Sequence, residues 1–131
     1  MRTLLTALAL APAALGLAAC GGDGDGGGGG APTTFRKGQP VVVKGSEYKF
    51  QPGNVVVEGG GGPTKVEFEN DGSLAHNLRI TKNGSDVGGS PTFQGGETKT
   101  ATVDLAPGEY ELLCTVGDHA SLGMRAKLTV K

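Results

Sequence analysis

The stretch Cys114-Thr115-Val116-Gly117-Asp118-His119-Ala120-Ser121-Leu122-Gly123-Met124 carries a thiol, an imidazole and a thioether in one short run. These soft and borderline donors select copper, and two His with one Cys and a weak axial Met form the donor set of an electron-transfer copper centre. The run lacks one imidazole. The chain has only 2 histidines, so elimination leaves His76, in Leu74-Ala75-His76-Asn77-Leu78. Taken singly, each residue has a plainer reading: His76 as an ordinary surface or satisfied histidine, Cys114 as a small buried hydrophobe, Met124 as core packing, His119 as a loop residue. Spacing joins them. Cys114 ends one expected strand, His119 sits in a polar turn and Met124 precedes the next strand, so a single loop converges on a point that His76 closes from another strand.

Outward from that loop the chain reads as short strands separated by Gly, Pro, Asn and Asp, without a helical period of useful length. The expected strands are 40–45, 47–50, 54–58, 64–70, 75–82, 98–104, 108–115 and 125–131. Alternation in Lys65-Val66-Glu67-Phe68-Glu69 and Arg125-Ala126-Lys127-Leu128-Thr129-Val130 puts Val66, Phe68, Leu128 and Val130 on buried faces. The runs Val41–Val43 and Val55–Val57, with Tyr48 and Phe50, supply the rest of a two-sheet core. The expected class is all-β, a sandwich of about eight strands. Pro107-Gly108 has type II turn chemistry, feeding the strand that delivers Cys114. The polar stretch 83–96 reads as a loop pinned by Phe93, with 86–89 open to a short helix.

Upstream, residues 4–19 form an apolar run behind Arg2, broken by Pro12, as in a signal segment. It ends Leu17-Ala18-Ala19-Cys20, which resembles the bacterial lipobox, where a lipidated cysteine becomes the mature N-terminus. A membrane span is the competing reading, but this run falls short of the roughly 20 residues that cross hydrocarbon. The expected organisation is a lipoprotein signal peptide at 1–19, lipidated Cys20 with a Gly-rich linker at 20–35, and one domain at 36–131. The glycine block Gly21–Gly30, continuing through Ala31-Pro32-Thr33-Thr34, reads as a flexible tether or a passive spacer. With Cys20 lipidated, Cys114 has no disulfide partner in an oxidising compartment and needs burial or a metal. Met1 leaves with the signal, so one Cys, one Met and two His remain, and all four can be assigned to one site.

Twelve basic and 13 acidic side chains nearly balance. No basic stripe interleaved with aromatics is present, so nucleic acid is not an expected partner.

With its upstream His76-Asn77, the pattern Cys114-x4-His119-x4-Met124 resembles the cupredoxins, the type 1 blue copper proteins. Residues 46–60 resemble that family's N-terminal hairpin, and Val66-Glu67-Phe68-Glu69-Asn70 its strand before the first histidine. The resemblance implies a Greek-key sandwich with one copper ion at its end, held equatorially by His76, Cys114 and His119 and axially by Met124. It also implies that Asn77 steadies the cysteine and the ligand loop. Many relatives have Pro-Gly before the loop histidine. Here Gly117-Asp118 stands there, setting a carboxylate beside His119.

The function expected is one-electron transfer by copper cycling between Cu(II) and Cu(I), in a monomeric carrier exchanging electrons with redox partner proteins. Its expected location is the outer side of the cytoplasmic membrane, periplasmic or at the cell surface, held by the lipid anchor. An enzyme is not expected, because four protein ligands leave no open metal position and both histidines are committed. The alternatives are copper trafficking by the same ligands and a metal-free interaction lipoprotein.

Overall fold

A computed structural model describes residues 30–131. Residues 1–29, with the expected signal peptide and Cys20, lie outside the described residues. The strands are β1 Thr33–Arg36, β2 Val41–Ser46, β3 Lys49–Gln51, β4 Asn54–Glu58, β5 Gly62–Asn70, β6 Arg79–Lys82, β7 Ser85–Gly89, β8 Thr98–Leu105, β9 Gly108–Leu113 and β10 Arg125–Val130. They form a six-stranded sheet in the order β1-β4-β10-β9-β6-β7 and a four-stranded sheet in the order β3-β2-β5-β8. The class is the all-β sandwich expected, with two strands beyond the eight read from sequence.

The core lies between the sheets because the strands alternate. Val66 and Phe68 of β5, and Ala126, Leu128 and Val130 of β10, are buried between more exposed neighbours. Phe68 is central, edge-on to Phe50 at 5.6 Å and to Phe93 at 5.4 Å between ring centroids. Edge-to-face pairing adds about 0.5–1.5 kcal/mol per pair beyond the area buried. Phe93 thus pins its stretch as expected, and its backbone forms a two-bond bridge with His76, at 3.1 and 3.0 Å.

Four expectations need correction. The tether ends sooner than 35: Thr33–Arg36 is β1, paired in parallel with β4 from Thr33↔Val55 onward. Its two threonines and Phe35 are strand formers that the neighbouring Gly and Pro mask. The stretch 83–96 contains β7 and no helix. It is the return arm of a hairpin turning on Asn83-Gly84, both at positive φ, as a two-residue type I′ turn requires. The strand expected from 75 begins only at Arg79. His76, Asn77 and Leu78 are all buried, and three inward side chains in succession do not fit a pleat that alternates. Finally, Pro107-Gly108 is a corner between the sheets, with Gly108 at φ 151° rather than the type II value. The Tyr110 hydroxyl closes this corner by donating to the Ala106 carbonyl at 2.8 Å.

Candidate metal centre

The end of the sandwich where β9 stops and β10 starts is closed by the loop from Cys114 to Met124. Its two ends are tied directly, since Cys114 N–H donates to the Met124 carbonyl at 3.2 Å. Inside, the His119 N–H donates to Val116 and its carbonyl accepts from Met124 at 3.0 Å, while Gly117 and Gly123 take the positive φ that the tight path requires. Cys114, Met124 and His76 are each 0% exposed, and His119 is 9% exposed. His119 is therefore the least enclosed of the four, and the sulfurs are dry.

His76 arrives from the opposite side on the segment between β5 and β6. Its Nδ1 lies 3.1 Å from His119 Nδ1 and 3.8 Å from Cys114 Sγ, and His119 Nδ1 lies 3.6 Å from the same sulfur. Taking zinc's distances to the same donor types, about 2.0–2.3 Å, an ion in the plane of two imidazoles and a thiolate spreads them to about 3.5–3.8 Å. The two edges to the sulfur, 3.6 and 3.8 Å, have that size, the edge between the imidazoles is shorter at 3.1 Å, and the donor set is the same. Met124 is buried in the same loop, and β2 comes so close that a Cβ on Gly45 would lie 3.0 Å from its methyl group. Cys114 is a free thiol, in a pocket where His76 and His119 are its polar neighbours.

Asn77 ties the two sides together. Its Oδ1 accepts from the Thr115 N–H at 2.8 Å, and its Nδ2 donates to Thr115 Oγ1 at 2.8 Å and Thr92 Oγ1 at 3.1 Å. The residue beside His76 thus grips the residue beside Cys114. Asn70, also buried, donates to the Leu74 and Phe93 carbonyls and fixes the path into His76.

Two contacts were not foreseen from the sequence. Glu47 Oε1 accepts from His76 Nε2–H at 3.0 Å and from the Ser73 and Leu74 N–H groups at 2.9 and 2.8 Å. The Leu74 N–H foremost, then His76, hold the Glu47 carboxyl down at about 2 from its ordinary 4.5. Tyr48 packs its ring on His119, with centroids 4.9 Å apart. The only sequence signal was that both fall in the hairpin segment 46–60. Asp118 is exposed, so the carboxylate that touches a histidine of this cluster is Glu47, through His76.

Among known proteins, the family model "Copper binding proteins, plastocyanin/azurin family" matches residues 39–131. No curated protein matches the chain in sequence. Among solved structures, reduced auracyanin from Roseiflexus castenholzii aligns with a TM-score of 0.62 at 19% identity, over 70% of this chain and 96% of that one. Auracyanin A, described as a "blue" copper protein from Chloroflexus aurantiacus, gives 0.59 at 21%, over 77% and 100%. Rusticyanin from Thiobacillus ferrooxidans gives 0.61 at 21%, over 81% and 86%. At these identities the likeness establishes the fold.

Proposed function

The chain belongs to the plastocyanin/azurin family of copper-binding proteins, and from that premise we propose that it is a membrane-tethered carrier of single electrons, with His76, Cys114, His119 and Met124 holding the metal. Copper-based electron transfer is the activity, and one type 1 copper, alternating between Cu(II) and Cu(I), supplies it. The observation that carries the ligand assignment is the triangle of two imidazole nitrogens and a thiol sulfur with edges of 3.1, 3.6 and 3.8 Å, all but closed to water. A buried, braced site suits electron transfer, since a carrier must change charge without rearranging its ligands. Copper delivery asks for ligands that open to a recipient, and the complete burial of Cys114 and His76 weighs against it.

The protein supplies two things besides ligands. It offers an exit at the His119 edge, and it places Leu74 and Leu122, 43% and 52% exposed, on the two segments that bear the histidines. That apolar surface supports docking of redox partner proteins. The tether is read from Leu17-Ala18-Ala19-Cys20 and the glycines after it. Among the described residues no helix is long and apolar enough to cross a membrane. In this reading a lipid on Cys20 holds the protein on the outer side of the cytoplasmic membrane. Strand β1 runs parallel to β4, and β4 parallel to β10, whose first residue follows Met124. The tether therefore joins β1 at the end directed toward the metal centre.

The test is to add Cu(II) to the purified protein. An intense visible thiolate-to-copper band is expected, absent in Cys114→Ser, and a Cys20→Ser protein is expected to leave the membrane fraction. A colourless wild-type protein that takes up no copper would sink the proposal.

A further inference from the structure

The turn Gly45–Tyr48, from the end of β2 to the start of β3, contributes none of the four candidate ligands yet touches three of them. Gly45 lies against Met124, Glu47 bonds His76 and Tyr48 covers His119. Of these contacts Glu47 is the most constrained. One oxygen, Oε1, receives all three donors, the Ser73 and Leu74 N–H groups and His76 Nε2. Gly72 makes room for this oxygen, because a Cβ at that residue would collide with it.

An ionised carboxylate only accepts hydrogen bonds. In the neutral ring the His76 proton is therefore on Nε2, and Nδ1 keeps its lone pair, aimed at Cys114 Sγ and His119 Nδ1. A free imidazole exchanges between two tautomers and two ring orientations, and only one of these combinations presents the right nitrogen as a ligand. A carboxylate on the far nitrogen of a metal-bound histidine also raises the basicity of the ligand. A more basic ligand, with a negative charge behind it, favours the ion of higher charge.

We propose that Glu47 is a positioning residue that locks His76 in its metal-ready tautomer and lowers the reduction potential of the centre. The potential half rests on the reading of His76, Cys114 and His119 as copper ligands; the tautomer half does not. Glu47 has a competing role as a simple cap on the turn at Ser73 and Leu74, and two variants separate the roles. Glu47→Gln keeps an oxygen for the three donors and removes the charge. Glu47→Ala removes both.

Ring-nitrogen NMR of His76 in the copper-free protein is expected to show a single Nε2–H tautomer in the wild type and in Glu47→Gln, and a mixture in Glu47→Ala. In the loaded protein, Glu47→Gln is expected to keep the visible band while losing Cu(II) affinity relative to Cu(I) by about tenfold, the lower end of what such outer contacts contribute. For one electron that ratio is a rise in potential of about 59 mV. A mere turn cap moves neither quantity, so an unchanged tautomer in Glu47→Ala, or an unchanged potential in Glu47→Gln, overturns the proposal. Should the wild-type protein bind no copper, the ligand reading falls and takes the potential half with it, while the NMR measurement still decides the tautomer half.

Discussion

His76 and His119 face each other across 3.1 Å but are mounted in opposite ways. His76 is wholly enclosed, its backbone bridged to Phe93 and its ring tied to a carboxylate 29 residues away in sequence. His119 rides on a loop whose bonds are nearly all to its own neighbours, and its ring meets Tyr48 by packing. One histidine is part of the wall and the other is part of the lid. A carrier needs both, because the wall holds the metal geometry constant and the lid gives the electron a short way out.

The sharpest way to break this contrast is to remove each ring. His76→Gly and His119→Gly are both expected to lose the visible band completely. Free imidazole should restore it in His119→Gly, where the missing ring belongs to the less enclosed histidine, and not in His76→Gly, where Phe93, Glu47 and the loop close the space. Titrating each copper-loaded variant with imidazole while recording the spectrum checks this. Equal rescue of the two would show that the wall opens as readily as the lid.

The same contrast explains what the sequence made legible. Cys114, His119 and Met124 are close in the chain, and their loop closes through short-range bonds, so spacing alone brought them together. The sandwich was equally open to reading, since alternation in residues such as 64–70 and 125–130 reports which face meets the core. His76 was reachable only by elimination, because its mounting consists of long-range contacts that leave no local period. Three consecutive inward residues, His76 to Leu78, even break the alternation that suggested a strand there. Glu47 and Tyr48 were missed for the same reason: nothing in Ser46-Glu47-Tyr48 indicates that the two histidines lie above it. The hairpin of β6 and β7 is a different kind of miss, since Asn83-Gly84 is a strong local turn signal that the polar composition around it obscured. For Asp118 the structure gives exposure and, among the described residues, no side-chain partner that would explain a role.

A smaller effect is expected where wall and lid are joined. Asn77→Ala deletes the bonds to Thr115 and Thr92 and leaves the Thr115 N–H without its partner. At the usual worth of such bonds this costs about 1–3 kcal/mol of stability, readable in denaturant unfolding of the copper-free protein. Copper affinity should fall by about 10–100-fold, because the loop loses its register against His76. If stability falls and affinity does not, Asn77 serves the fold alone and the lid keeps its place without the wall.

The smallest effect belongs to the brace behind the wall. Arg79, the first residue of β6, grips Asp86 of β7 through two bonds of 2.8 Å and donates to the Ser90 carbonyl at 3.0 Å. The bond from Arg79 holds the Asp86 carboxyl below its ordinary 3.8. A carboxyl with a lowered folded value stabilises the fold above its unfolded value, and that contribution is lost as pH falls through the folded one. The pair is half open to water, where such bridges contribute little, so the change should be small and confined to acid. Thermal unfolding of the copper-free wild type and Asp86→Asn is expected to differ slightly above about pH 4 and to converge below it as Asp86 protonates. A difference that persists in acid would mean that Asp86 supports the hairpin by shape rather than charge, and that the brace does not depend on an ion pair.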